Sequence, residues 1–170
     1  RVEADPQYRK AHDALVGFRL LEERSTTTDA VTLAARQIAG AISAKVLIVF
    51  TSEGTTVLTA ASLRPNVPIL ALTPNEETAR ALSLCWGVYA RLLAPQTFDE
   101  NQIFADVLGA AVDVAVDYGL LENESDVAVV TAGLPWGTPG ASNVLRVVPM
   151  MGPDAWPEDL CRVGVDEACA

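Results

Sequence analysis

The hydrophobic pattern turns on one unbroken apolar run, Val46 to Phe50. Thr51-Ser-Glu-Gly-Thr-Thr56 follows at once, and then a helix-compatible stretch to Leu63. That order predicts a strand buried on both faces, a tight turn, and a helix whose first amides face back toward the turn. Before it, Thr26, Thr27, Thr28 and Asp29 offer N-caps for a helix to about Ser43, with Val31, Ala34, Ala35, Ile38, Ala41 and Ile42 at helical spacing. Its many alanines let a helix lie close to a sheet. Residues 1–25 are mixed and charged, interrupted by Pro6, with an amphipathic stretch over Tyr8–Leu21 that reads as a linker or arm packed on the domain.

After the turn Arg64-Pro65-Asn66, Val67–Leu72 reads as a second buried strand. Thr73-Pro74-Asn75-Glu76 predicts a helix start, with Thr73 as N-cap, Pro74 at the first helical position and Glu76 as capping-box partner. That helix runs to about Leu84, and Gly87 introduces a third strand through Leu93. From Phe98 to Leu121 a long amphipathic helix is expected, with Ile103, Val107, Ala111 and Val114 on one face and Asp99, Asp106, Asp113 and Asp117 on the other. Such a carboxylate row reads as a solvated face rather than a cation site, since no histidine accompanies it. Gly119 closes the helix, Val127–Thr131 forms a fourth strand, and a Gly/Pro-dense loop over 132–142 leads to a fifth at Asn143–Val148. Residues 151–170 lose all periodicity and read as a tail of the composition expected for disorder.

Strands alternating with helices up to the fourth predict an α/β fold: a three-layer, doubly wound, five-stranded sheet over residues 26–150. Four strands are parallel. The fifth is reached without a helix and is expected to be antiparallel at an edge. In such sheets ligands bind beyond the carboxyl ends of the strands, near the switch in strand order, where the 51–56 turn and the 132–142 loop should both emerge.

Composition narrows the function classes. Of the 170 residues half are hydrophobic, which suits one globular domain, and the formal net charge of −10 argues against broad binding to nucleic acid or anionic membranes. No apolar run reaches the roughly 20 residues of a membrane span and no signal peptide is visible, so a cytoplasmic home is expected. Cys85, Cys161 and Cys169 lack metal-ligand spacing, and His12 is the single histidine, which disfavours a zinc site or a histidine-based triad. No nucleophile elbow, Walker loop or GxGxxG is present, which leaves little for an independent enzyme. The start at Arg1 rather than methionine reads as an excised, processed or truncated segment.

Two readings of the 51–56 turn stand side by side. Helix N-termini hold anions, because unpaired amides and the positive end of the helix dipole converge there, and Thr51, Ser52, Thr55 and Thr56 would add hydroxyl donors. The same hydroxyls could simply cap the helix.

Four motifs in order carry a family resemblance: Arg1-Val-Glu-Ala-Asp-Pro-Gln-Tyr8, Thr51-Ser-Glu-Gly-Thr-Thr56, Arg64-Pro65 followed by Val67-Pro-Ile-Leu-Ala-Leu-Thr73, and Thr131-Ala-Gly-Leu-Pro-Trp-Gly-Thr-Pro-Gly-Ala-Ser-Asn143. From Arg1 to about Met150 the chain resembles the carboxyl-terminal domain of bacterial pyruvate kinase. The resemblance implies a non-catalytic regulatory domain that also takes part in self-association. Phosphoryl transfer from phosphoenolpyruvate to ADP, with its magnesium and potassium ions, belongs to a separate barrel of about 250 residues that this chain cannot contain. Carried over, a phosphorylated effector would meet Thr51, Ser52, Glu53, Gly54, Thr55 and Thr56, with Gly137 and Gly140 in the facing loop.

Glu53 departs from the small polar residue usual in the family. A carboxylate within about 4 Å of a phosphate repels it by a few kcal/mol at an effective dielectric of about 20. No basic counterpart for a second phosphate stands on the 98–121 helix. Either the site takes a monophosphate weakly, or the domain is an assembly module with a vestigial site whose interface lies by the edge strand Asn143–Val148.

Overall fold

The computed structural model describes residues 5–19, 26–93, 104–135 and 142–150. Within them a five-stranded sheet forms from β1 (Val46–Phe50), β2 (Ile69–Thr73), β3 (Val88–Leu92), β4 (Val127–Gly133) and β5 (Ser142–Pro149), in the spatial order β3-β2-β1-β4-β5. The first four are parallel: Val49 faces Ala71 of β2 and Thr131 of β4, while Thr73 of β2 faces Leu92 of β3. β5 runs antiparallel to β4 at one edge, with a register shift at Ala132/Gly133. The expected α/β architecture, four parallel strands and one antiparallel edge strand, is the observed one.

Alternation along the central strands sorts the core into two layers. Val46, Ile48 and Phe50 of β1, with Leu70, Leu72, Ala128 and Val130, pack against α5 (Phe104–Asp117) through Val107, Leu108, Ala111, Val112 and Ala115. Leu47, Val49, Ile69, Ala71, Val127 and Val129 pack on the opposite face, against α2 (Thr27–Ala41), α3 (Thr55–Ser62) and α4 (Glu76–Leu82). Because both faces are covered, the run Val46–Phe50 needs no polar position. Each fully buried aliphatic side chain there contributes about 1.5–3 kcal/mol.

Local chemistry fixes the helix ends. Thr26 and Asp29 form a reciprocal capping box at α2: Thr26 Oγ1 accepts from Asp29 N at 3.2 Å and Asp29 Oδ2 accepts from Thr26 N at 2.9 Å. At the end of α5 the Leu120 amide reaches Ala115 O at 2.9 Å and the Gly119 amide reaches Val116 O at 2.8 Å, with Gly119 at φ +65°. That is a Schellman closure, which requires a residue free to turn left-handed.

Several expectations shift. Pro6 does not interrupt the amino-terminal helix but begins it: α1 spans Pro6–Arg19, and Asp5 Oδ1 accepts from Gln7 N and Tyr8 N at 2.8 and 3.0 Å. The first helical amide has no intrahelical partner to lose, so proline is tolerated there. An Arg36–Asp13 ion pair ties α1 to α2. On α2 the buried face is Thr28, Thr32, Leu33, Ala35 and Ala39, while Ala41 is exposed. Thr32 Oγ1 donates to Thr28 O at 2.6 Å, which lets a hydroxyl enter the core.

Thr73 is not the N-cap of α4. It is the last, buried residue of β2, and Asn75 caps the helix by accepting from Glu77 N and Thr78 N. A residue before proline is held out of the helical region, so Thr73 continues the strand. α4 also stops at Leu82 rather than Leu84, and α5 is described from Phe104 to Asp117; the stretch 98–103 lies outside the described residues. Among the described residues no helix is long and apolar enough to cross a membrane.

Candidate functional site

The connections β1-α3-β2-α4-β3 lie on one face of the sheet and α5 returns on the other, so the strand order switches between β1 and β4. A crevice opens at such a switch beyond the carboxyl ends of the two strands. The turn Thr51–Gly54 and the start of α3 occupy it on the β1 side, and Thr131–Gly133 of β4 approach it from the other.

Internal hydrogen bonds set the turn. Thr51 is buried, and its Oγ1 accepts from Gly54 N at 2.8 Å. Thr78 Oγ1, from α4, donates to Ser52 O at 3.1 Å, and Thr73 Oγ1 makes a longer contact to the same carbonyl at 3.5 Å. Gly54, at φ +87°, sits beneath α4: a Cβ there would come to 3.3 Å from both Leu82 Cδ2 and Thr78 Cγ2. Glycine is needed twice over, for the left-handed backbone and for the close approach.

Gly54 is also the N-cap of α3 and supplies no side-chain cap hydrogen bond. The amides of Thr55, Thr56 and Val57 are the first-turn donors to which the helix itself provides no acceptor. Thr56 Oγ1 is buried and hydrogen-bonded to Ser142 Oγ of β5 at 2.8 Å, which joins α3 to the far side of the crevice. Ser52 is half-buried, and Glu53 and Thr55 are exposed. Of the expected effector residues, the structure therefore brings Thr51, Ser52, Glu53, Gly54, Thr55 and Thr56 into one turn. It commits Thr51 and Thr56 to internal contacts and leaves Ser52, Glu53 and Thr55 on the surface. Gly137 and Gly140 lie outside the described residues.

Three contributors escaped the sequence. Thr131 shares the strand phase of Val127 and Val129 on the α3 side of β4, and its fully buried Oγ1 has no hydrogen-bond partner among the described residues. Ser142 gave no signal apart from the loop that contains it. Asn143 clamps the base of that loop, accepting from Leu134 N at 2.9 Å and donating to Leu134 O at 2.6 Å. Of these, the Ser142–Thr56 contact spans 86 positions of chain, which no local pattern records.

At the opposite end of the strands, buried Asp126 closes the α5–β4 turn. Its Oδ2 accepts from Glu122 N and Asn123 N, both at 2.9 Å, and its Oδ1 stands 3.8 Å from Lys45 Nζ. Burial pushes the carboxyl upward, but the two backbone amides, Lys45 and the Asn123 side chain together hold it below the usual carboxylate range. Among the described residues no group of three or more His, Cys, Asp or Glu stands where it could hold a metal ion.

Comparison with known proteins matches residues 29–148 to the family model described as the pyruvate kinase α/β domain. Similar curated proteins include the pyruvate kinase of Agrobacterium vitis, 45% identical over 122 residues covering 72% of this chain and 24% of that protein. The pyruvate kinase of Methylorubrum extorquens is 35% identical over 139 residues, covering 79% and 28%. The chain thus spans about a quarter of the length of these relatives. Among solved structures, that of a pyruvate kinase from Cryptosporidium parvum superposes with a TM-score of 0.70 at 23% identity, covering 87% of this chain and 27% of that one, and supports the fold.

Proposed function

The chain belongs to the pyruvate kinase α/β-domain family, and from that premise we propose that it serves a pyruvate kinase as a regulatory and self-associating module. The regulatory part is the binding of a phosphorylated small molecule at the 51–56 turn. One observation carries it: a helix start at the switch point of the sheet, with no side-chain cap and with Ser52 and Thr55 open beside it. A phosphate there would accept from the first-turn amides of α3 and from these two hydroxyls. The orphaned hydroxyl of Thr131 on the same side of the sheet adds polar capacity that the apolar core does not use.

Glu53 supports a second reading, an assembly domain whose effector site is vestigial, because an exposed carboxylate on the turn opposes an incoming phosphate. Isothermal titration separates the two. The chain is titrated with inorganic phosphate, AMP, hexose and pentose monophosphates and a hexose bisphosphate, beside Glu53→Ser. Monophosphate binding that tightens in the variant supports regulation. No heat and no thermal shift at millimolar ligand in either protein leaves the assembly reading. For self-association the sheet offers two edges, β3 and β5.

A further inference from the structure

The two segments that meet at the crevice carry almost no charge. Thr51–Leu63, which supplies the turn and α3, and Thr131–Leu145, which supplies the end of β4 and the start of β5, hold a single charged residue between them, Glu53. Its side chain is exposed, and among the described residues it makes no ion pair. The neighbouring helix does not offset it. α4 is tied to the turn through Thr78 and the Ser52 carbonyl, and its first turn adds Glu76 and Glu77, while Arg80 is bonded back to Glu76 at 2.6 Å.

The rest of the crevice suits an anion. α3 starts without a side-chain cap, Ser52 and Thr55 are open beside that start, and Thr131 Oγ1 is fully buried on the α3 side of β4 with no partner among the described residues. A buried hydroxyl without a partner calls for an explanation, and a ligand oxygen entering from the crevice supplies one. A bare phosphate would meet opposed forces here, drawn by the first-turn amides and pushed by the carboxylate. A ligand that carries its own cation turns the second force into an attraction.

We propose that the site is built for a zwitterionic phosphate monoester, a sugar monophosphate that bears an ammonium group, with the phosphate on the first turn of α3 and the ammonium on the Glu53 carboxylate. This assignment rests on the regulatory part of the reading above and gives Glu53 a role in it, as the residue that selects the ligand. A charge-assisted N–H···O bond is shorter than a neutral one and roughly twice as strong, so an ammonium gains more from Glu53 than a sugar hydroxyl does. A bisphosphate is disfavoured on the same ground. Its second phosphate would meet Glu53 and find no basic residue in either segment.

Isothermal titration of the full chain near neutral pH, in EDTA and at constant ionic strength, tests this with three probes: glucosamine 6-phosphate, N-acetylglucosamine 6-phosphate and glucose 6-phosphate. The amino sugar should bind about tenfold tighter than glucose 6-phosphate. The acetylated sugar keeps the nitrogen but loses the charge, and it should show no such gain. Glu53→Gln, at an exposed position, should leave the fold intact by circular dichroism, weaken the amino sugar by about tenfold and tighten glucose 6-phosphate. Equal affinity for the charged and neutral sugars, an acetylated sugar as tight as the amino sugar, or a Glu53→Gln effect of the same sign on both overturns selection by Glu53 and leaves the phosphate reading in place. No heat with any of the three in either protein overturns the inference together with that reading.

Discussion

β1 and β3 are both five residues long and both pair in parallel with β2, yet they live in different solvents. Every residue of β1 is buried, between α5 on one face, α2 and α3 on the other, and strands on both sides. β3 exposes Tyr89, Arg91 and Leu92 and has a described strand on one side. The sequences carry the difference: Val-Leu-Ile-Val-Phe has no polar position, whereas Val-Tyr-Ala-Arg-Leu mixes a cation and a phenol into the run. A strand needs unbroken apolarity when both faces are covered, and a charge on an edge is one of the means by which sheets limit unwanted pairing. The stability of the domain should accordingly reside at β1 and its neighbours rather than at β3.

The largest effect expected is in the core. Ile48→Ala should cost about 2–5 kcal/mol by opening a cavity against α5, read as a lowered urea midpoint at unchanged slope. Leu92→Ala on β3 should cost less than about 1 kcal/mol by the same measurement, because half of that side chain already faces water. Equal costs would break the comparison.

Beside β1, Asp126 supplies the next effect. Asp126→Ala leaves the Glu122 and Asn123 amides without their acceptor and should cost about 1–3 kcal/mol. The wild-type carboxyl is held below its unfolded range, so its contribution is fully present above the unfolded pKa of about 4 and is lost as pH falls through the lower folded value. Thermal melts between neutral and strongly acid pH should show that loss in the wild type and less of it in Asp126→Asn.

At the carboxyl end of β1, Gly54→Ala forces a side chain into left-handed backbone beneath α4 and should cost about 1–2 kcal/mol. Urea unfolding measures it, and a neutral result would mean that α4 yields easily. Smallest in free energy is Glu53→Ser, expected to tighten monophosphate binding by about tenfold by removing a carboxylate near the anion. An unchanged affinity by titration would place any bound phosphate away from Glu53.

Much of this was legible along the chain. Val46–Phe50 and Val67–Leu72 announced buried central strands. Thr26 with Asp29 announced a capped helix, Gly119 announced its own closure of α5, and the helix-free connection announced an antiparallel fifth strand. Thr73-Pro74-Asn75 misled because two cap residues stood two apart and the pairing of Thr73 with Leu92 decided between them. The candidate site was half legible: its hydroxyls and glycine could be counted, but not which of them the fold would use internally.

By itself, then, the sequence determined the elements, their order and the parallel sheet, because capping, turn chemistry and apolar periodicity act over a few residues and admit few topologies. Tertiary structure alone decided that Thr56 turns inward onto Ser142, that Thr78 holds the Ser52 carbonyl, and that β3 rather than β2 ends the sheet. Each of those outcomes depends on which residues meet across long stretches of chain. Hydrogen-bond partners and strand neighbours at such separations are set by the packing of the whole domain and leave no periodic trace in its sequence.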